Sequence, residues 1–134
     1  MNISLSKGLD TRFKKIGIKS IYLFGSQTTP FRHKESDVDI GILFHEDYPK
    51  DKDTARSELY DRFSSLFKSE RVDIVFLQES PLRLQFTVVT EGKLLYTSDI
   101  EKSLNYEEEI RWKYLDFVPI LREFDKAVLE AKRK

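Results

Sequence analysis

Three carboxylates and a Gly-Ser pair are the residues of this chain whose types and spacing could do chemistry. Gly25-Ser26 follows the apolar run at residues 21–24, and after ten more residues Asp37 and Asp39 flank Val38 at the start of a second apolar run. Side chains alternate along a strand, so Asp37 and Asp39 are predicted to point to the same side. Two like charges held together repel and require a compensating cation. The pattern therefore predicts a site for Mg²⁺ and the phosphates of a nucleoside triphosphate.

Asp73 is the third carboxylate and lies within the apolar run at residues 72–76. An unpaired carboxylate in a buried strand is costly. If this strand neighbours that of Asp39, Asp73 completes a three-carboxylate cluster. Two Mg²⁺ ions about 3.5–4 Å apart could then stabilise the attacking and leaving oxygens of a displacement at phosphorus, with Asp73 orienting or deprotonating the incoming hydroxyl. The alternative is a structural ion pair with Arg71 or a lysine.

Gly25-Ser26 supplies the predicted phosphate-binding end of the site. Glycine lets the backbone approach an anion closely, and Ser26 adds a hydroxyl at the predicted start of a short helix, where N–H groups favour phosphate. The chain contains neither G-x-x-x-x-G-K-[ST] nor G-x-G-x-x-G, so P-loop and Rossmann phosphate binding are unsupported. A Gly-Ser pair alone is most often an ordinary turn, and Asp-x-Asp a solvated strand face. Their conjunction with Asp73 favours the functional interpretation.

The elements that must position these residues follow from hydrophobic periodicity. Buried strands are predicted where β-branched and aromatic residues run together, at residues 18–24, 38–44 and 71–77. Helices are predicted where apolar residues recur at helical spacing, at residues 6–17 and 53–69. A short helix is predicted at residues 81–92, where Pro81 can open it and Gly92 can close it. Asp53 is the predicted N-cap of the second helix. Residues 93–96 form a short run, predicted to be an edge strand.

The C-terminal segment, residues 100–134, is predicted to be helical and carries one continuous apolar stripe. Its members recur at 4-3-4-3-4 spacing: Ile110, Tyr114, Phe117, Leu121, Phe124 and Val128. Pro119 interrupts it, so either the helix kinks there or Asp116 caps a second helix. The stripe either packs on the protein's own sheet or docks on a partner helix. We expect residues 1–98 to form one domain and residues 99–134 a helical extension of the same structural unit.

The composition of the chain limits the classes of partner that it is expected to bind. Lys plus Arg and Asp plus Glu both number 23, which does not favour direct binding of nucleic acid, since phosphate-backbone binding leans on clustered cationic charge. The chain has no cysteine and only two histidines, so a metal would be held by oxygens. No signal-peptide core or bilayer-length apolar run is found. We expect a soluble cytoplasmic protein that has no membrane partner.

The spacing Gly25-Ser26-x10-Asp37-x-Asp39, with Asp73 downstream, resembles that of the DNA polymerase β-like nucleotidyltransferase superfamily. Ser36 before Asp37 fits the Ser-Asp-x-Asp form of its minimal nucleotidyltransferases, the MntA-type antitoxins paired with HEPN-domain toxins. Further segments resemble later landmarks of that antitoxin branch, at residues 71–77, 91–96 and 111–117.

This resemblance implies an α+β fold, a small mixed sheet flanked by helices with the active site at the sheet edge. It implies a Mg²⁺-dependent enzyme that transfers AMP from ATP to a tyrosine hydroxyl of a HEPN toxin, an RNase, within a hetero-oligomer. Asp37, Asp39 and Asp73 would be the catalytic and metal-binding residues. Gly25 and Ser26 would hold the nucleotide phosphates.

One segment departs from the family pattern. Residues 27–30, Gln-Thr-Thr-Pro, stand where members usually have small residues, an arginine and a glycine. Pro30 cannot adopt a positive φ and lacks a backbone donor. Two alternatives stay open: a non-catalytic antitoxin that acts by binding its toxin, and transfer to a small molecule as in antibiotic-resistance nucleotidyltransferases. The latter usually carry a further substrate-binding domain, for which the residues after 98 leave little room.

Overall fold

The part of the chain that the structure describes is organised around a four-stranded sheet. The computed structural model of the chain describes residues 7–25, 37–46 and 51–132. The strands are β1 (Ile18–Phe24), β2 (Val38–Phe44), β3 (Val72–Phe76) and β4 (Lys93–Thr97). Their order is β3-β2-β1-β4, with β2 and β3 parallel and the other two pairs antiparallel. The predicted mixed sheet is confirmed, and β4 is the edge strand that the sequence predicts.

Within the described ranges, four helices cover the two faces of the sheet. They are α1 (Lys7–Ile16), α2 (Lys52–Phe67), α3 (Leu82–Glu91) and α4 (Ile100–Lys132), and a 3₁₀ turn, Leu77–Glu79, follows β3. Because side chains alternate along each strand, Ile40 faces the main core with Phe13 of α1 and Phe63 of α2. Leu43 faces the opposite, smaller core with Val88 of α3. Along β2 and β3 the carboxylates alternate with the side chains of the main core, as Leu43 does. The carboxylates therefore lie on the side of the sheet that faces α3.

The N-cap of α2 lies two residues before the one that the sequence predicts. Asp51 is the N-cap: its Oδ1 accepts a hydrogen bond from the Thr54 amide at 3.0 Å, and its Oδ2 accepts one from the Thr54 hydroxyl at 2.6 Å. The prediction that Asp53 caps this helix is therefore wrong. Asp53 instead lies in the first turn, where a negative charge still favours the helix. Either aspartate satisfies the sequence pattern, and only the backbone conformation at residue 51 selects between them.

The last helix, α4, runs without interruption from residue 100 to residue 132, with Pro119 inside it. The expected alternative of a second helix capped by Asp116 is therefore wrong. The apolar stripe begins inside the domain, where Ile110 is buried and the Tyr114 ring stacks on Phe86 at 4.0 Å between centroids. Further along, the Phe124 side chain is 65% exposed. None of the described helices is long and apolar enough to cross a lipid bilayer.

Hydrogen bonds between hydroxyl groups connect the start of α4 to the sheet. The Ser103 hydroxyl is fully buried and pairs with the Thr97 hydroxyl at 2.7 Å and with the hydroxyl of Ser20 on β1. Buried hydroxyls are costly unless they are hydrogen-bonded, so this chain of three fixes where α4 meets the sheet.

Candidate active site

The parallel pairing of β2 and β3 places Asp39 directly beside Asp73. The sequence made a three-carboxylate cluster conditional on these two strands being neighbours, and they are. Paired residues on adjacent strands are about 4.8 Å apart and project from the same face. Asp37 precedes β2 by one residue and is exposed, whereas Asp39 is partly buried. The three carboxylates therefore lie at one end of the sheet.

Asp73 is exposed, which corrects one premise of the sequence argument. The neighbouring residues Val72 and Ile74 are buried as expected, but β3 is the outermost strand on its side of the sheet. An edge strand leaves one side open to solvent, so Asp73 avoids the desolvation expected of a carboxylate in a central strand. The same exposure makes Asp73 reachable from outside the protein.

Like charges act on Asp39 from two directions. Its pKa is raised above the ordinary aspartate value, first by burial and then by the charges of Asp73 and Asp37. Each of these effects disfavours the ionised form. A cation bound at this point would reverse the balance, because opposite charge favours the carboxylate.

Gly25 closes the other side of Asp39. The antiparallel register pairs Phe24 with Asp39, so the next residue along the chain lies against this carboxylate. Gly25 has φ of +79°, and a Cβ atom at this position would lie 2.1 Å from Asp39 Oδ2. Only glycine fits. The sequence predicted close approach of this backbone to a substrate anion, whereas the structure places one of the protein's own carboxylates there.

Ser26 and residues 27–30, including Pro30, lie outside the described residues. The nucleotide-binding role of Ser26 therefore stays a prediction, and so does the consequence of the Gln27–Pro30 departure. The described part of the site consists of Gly25 and the three aspartates.

The donor set suits a hard cation. Among residues 7–25, 37–46 and 51–132, no three acidic or histidine side chains converge closely enough to form an ion site by themselves. Mg²⁺ does not need such a cage, since it commonly takes one or two carboxylates and completes its octahedron with water and substrate phosphate oxygens. Asp37, Asp39 and Asp73 fit that incomplete coordination, and a bound cation would offset the burial and the like charges that raise the pKa of Asp39.

A cavity of about 310 Å³ adjoins Asp73 on the outer side of β3. Its lining comes from residues 72–74 and from one side of α2: Arg56, Ser57, Tyr60 and Asp61. The sequence argument missed these α2 residues because no motif marks them. The available signal was their spacing, since positions i, i+1, i+4 and i+5 form one strip along a helix.

The arrangement of sheet and carboxylates has a counterpart in a known family. Residues 9–101 match the model of the polymerase β nucleotidyltransferase domain, which is more than half of the chain. The chain belongs to this family, so the resemblance found in the sequence is confirmed.

Individual relatives narrow the class further. The chain is 34% identical over 87 residues to the protein adenylyltransferase MntA of Shewanella oneidensis (strain ATCC 700550), a match that covers 65% of this chain and 60% of MntA. This match thus spans less than two thirds of that relative. A crystal structure of a toxin–antitoxin with AMP-PNP superposes with a TM-score of 0.65 at 26% identity, covering 94% of this chain and 96% of the other.

A second solved structure contains a modified toxin. It is the tri-AMPylated Shewanella oneidensis HEPN toxin in complex with MNT antitoxin, and the matched chain has a TM-score of 0.61 at 25% identity. The match covers 90% of this chain and 95% of that one.

Proposed function

We propose that this chain is an antitoxin that transfers AMP from ATP to a tyrosine hydroxyl of a HEPN-domain toxin, with Mg²⁺ as cofactor, and so neutralises the toxin's RNase activity. The observation that carries the proposal is the position of Asp39, which lies between Asp73 and Gly25 and within the field of Asp37. The relatives support it, because one is a protein adenylyltransferase and the matched structures include AMP-PNP and an AMPylated HEPN toxin.

In the proposed reaction each site residue has a defined task. Asp37 and Asp39 would bind Mg²⁺ together with Asp73, and the backbone at Gly25 and the hydroxyl of Ser26 would bind the phosphates. Bound metal would neutralise phosphate charge and stabilise the attacking and leaving oxygens. Asp73 accepts the proton of the tyrosine hydroxyl, whose oxygen forms a bond to the α-phosphorus. The bond between that phosphorus and the oxygen bridging to the β-phosphorus breaks, and pyrophosphate leaves with the electron pair.

The domain assignment belongs to the same proposal. Residues 1–98 would form the nucleotidyltransferase domain, which supplies all five site residues. Residues 99–134 would form a helical extension fastened to it. The contacts of Ser103 and Ile110 support treating both as one structural unit.

Radiolabel transfer tests the proposal. The chain is incubated with ATP labelled at the α-phosphate, Mg²⁺ and its HEPN-domain partner, and label is expected on the partner together with release of pyrophosphate. The matched control is the Asp37→Ala/Asp39→Ala variant, which should leave ATP intact. An unlabelled partner with intact ATP in the wild-type reaction would rule out the transfer.

A second candidate function is neutralisation by binding alone. The observation that favours it is the outer half of α4, where Phe124 of the apolar stripe is 65% exposed and Ile120, one turn before it, is 62% exposed. Contiguous exposed apolar surface of this kind is typical of protein interaction sites. The Asp37→Ala/Asp39→Ala variant separates the two functions in cells. Full protection from the toxin by this variant would favour binding, whereas loss of protection would favour catalysis.

A further inference from the structure

The outer edge of β3 is an open hydrogen-bonding edge beside the carboxylates. No strand lies beyond β3 among the residues that the structure describes. The Val38 amide donates to the Arg71 carbonyl at 2.8 Å, and Val38 is in register with Val72. In a parallel pair, alternate residues of a strand bond to the same neighbour. The peptide groups of Arg71 and Asp73 therefore face β2, and those of Val72 and Ile74 face outward.

Side chains of α2 cap this edge at two places. The Tyr60 hydroxyl donates to the Glu70 carbonyl at 2.8 Å. The Arg56 guanidinium donates to the Ile74 carbonyl and lies 4.3 Å above the centre of the Phe76 ring. Capping an edge in this way limits unspecific strand pairing. Between the two capped carbonyls lies Val72, whose N–H and C=O point outward into an interval that no described side chain caps.

The cavity beside Asp73 opens at this interval. Its volume is about 310 Å³, and it lies between residues 72–74 of β3 and the Arg56, Ser57, Tyr60 and Asp61 side chains of α2. It is on the side of the sheet that faces α2, because Val72 and Ile74 belong to the core that contains α2 residues. Asp73 alternates with these residues, so its carboxylate is on the opposite face, next to Asp39.

The exposed carboxylate of Asp73 offers an acceptor a route to the site. Asp39 is in an interior strand, and Gly25 closes the side toward β1. If the phosphates bind at Gly25, the acceptor hydroxyl can reach the site from the side of β3, where Asp73 is exposed.

We propose that an extended segment of the toxin adds to the open edge of β3 at Val72 and that the cavity holds a side chain of this segment. This inference rests on the proposed function. A residue added opposite Asp73 would continue the sheet by about 4.8 Å and project its side chain from the face that carries Asp39 and Asp73. The acceptor tyrosine takes that position, and its sequence neighbour enters the cavity between Arg56 and Asp61. Main-chain hydrogen bonds then supply affinity, and the cavity supplies selectivity for the residue beside the tyrosine.

Filling the cavity from α2 tests the docking without touching a carboxylate. Ser57 is exposed and lines the cavity, whereas Ser65 is also exposed on the same helix and is not among the residues that line it. Ser57→Trp is expected to raise the KM for the HEPN partner about tenfold or more, as expected when about 1.4 kcal/mol of binding is lost. The KM for ATP and the melting temperature should stay unchanged. Ser65→Trp should match wild type in every measurement.

A second pair, Ser57→Arg and Ser65→Arg, repeats the comparison with a residue that favours helix, in case tryptophan disturbs α2. Wild-type kinetics for both Ser57 variants would overturn the proposal.

Amide exchange gives a readout that does not depend on catalysis. Exchange of the Val72 amide, followed by NMR, should slow when the HEPN partner is added with AMP-PNP, and Ser57→Trp should abolish this protection. If the wild-type chain transfers no AMP but exchange of the Val72 amide slows, the proposed reaction is wrong and the docking edge is supported. If AMP is transferred and the Val72 amide exchanges as fast as in the free chain, the docking edge is wrong and the proposed reaction is supported.

Discussion

Charged side chains lie at both ends of the sheet, but they repel one another at one end and are of mixed sign at the other. At one end the charges have the same sign: Asp39 lies beside Asp73 and feels Asp37, and its pKa is raised by burial and by both neighbours. Gly25 presses against this carboxylate from the other side. Repulsion among these negative charges opposes folding, and the pairing of β1, β2 and β3 holds the carboxylates together.

At the opposite end the charges are of mixed sign. A cavity of about 470 Å³ is lined there by two lysines and two glutamates, Lys19, Lys102, Glu46 and Glu109, with His45, Asn105 and Tyr106. His45 Nε2 and the Ser98 hydroxyl are hydrogen-bonded at 2.9 Å. The pKa of His45 is lowered by burial first and then by the two lysines.

The difference indicates which end the protein maintains at a cost in stability. Same-sign charges that destabilise the empty chain are expected where a cation and a polyphosphate bind, whereas a mixed-sign end with satisfied hydrogen bonds is expected to serve folding. Removing a negative charge at the first end should therefore lower activity and raise stability, whereas a substitution at the second end should lower stability and leave activity unchanged.

Asp39→Asn should give the largest effect. AMP transfer is expected to fall by about 10³-fold, because several kcal/mol of metal-dependent stabilisation is lost. In the absence of Mg²⁺ the melting temperature should rise by about 2–5 °C, since a repelled charge is removed. Labelled transfer and thermal unfolding measure the two changes. A variant that is both less stable and fully active would contradict the contrast between the two ends.

Gly25→Ala should come next, at about 2 kcal/mol or more of lost stability. The positive φ alone costs about 1–2 kcal/mol with a side chain, and the new Cβ would overlap Asp39 Oδ2. Displacement of that carboxylate should also weaken Mg²⁺ binding, measured by calorimetry in the presence of AMP-PNP. The control is the same change in the Asp39→Ala background, where the overlap is gone and a smaller loss is expected. Equal losses in both backgrounds would show that the contact with Asp39 has no energetic weight.

His45→Ala should give a smaller loss of stability, about 0.5–1.5 kcal/mol for the hydrogen bond to Ser98, with AMP transfer unchanged. The lowered pKa fixes the sign of its pH dependence. A neutral His45 favours the fold at pH values above its unfolded pKa of 6.5, and this contribution is lost as the pH falls through the folded value. Urea unfolding of wild type and variant should therefore converge on acidification. Reduced AMP transfer would mean that this end also serves function.

The smallest effect should be the pH dependence contributed by Asp39 itself, below about 1 kcal/mol because its carboxylate is only partly buried. Its folded pKa is raised above the unfolded value of 3.8. The protonated side chain favours the fold at pH values below 3.8, and that contribution is lost as the pH rises through the folded pKa. Without Mg²⁺, wild type should thus become less stable relative to Asp39→Asn between acid and neutral pH. Saturating Mg²⁺ with AMP-PNP should abolish or reverse the difference.

Local patterns predicted much of this molecule. The strands at residues 18–24 and 38–44 have the bounds that their apolar runs indicate, and Gly92 ends α3 as predicted. The bounds of a buried strand follow its run of apolar residues, and that run is visible in the sequence. The cap of α2 was misplaced because Asp51 and Asp53 offer the same side chain two residues apart. The continuity of α4 through Pro119 was not decided by sequence, because a proline inside a helical pattern can either kink the helix or end it.

The residues of the candidate site could be predicted from the sequence, but the contacts between them could not. The types and order of Gly25, Asp37, Asp39 and Asp73 marked it, and its assembly required only that β2 and β3 be neighbours. The contact between Gly25 and Asp39 depends on cross-strand register, which a single sequence does not reveal. The cavity wall on α2 was missed because its members are ordinary helix-surface residues, brought to the site by the packing of α2 against β3.

The contact between Gly25 and Asp39 also has a consequence for how this family diverges. As long as position 39 carries an aspartate, position 25 accepts only glycine, because any side chain would displace the carboxylate. In a descendant that has lost the chemistry and replaced Asp39 by a smaller residue, the steric part of this restriction disappears. Covariation of the two positions should therefore separate lineages that retain catalysis from those that keep only the fold.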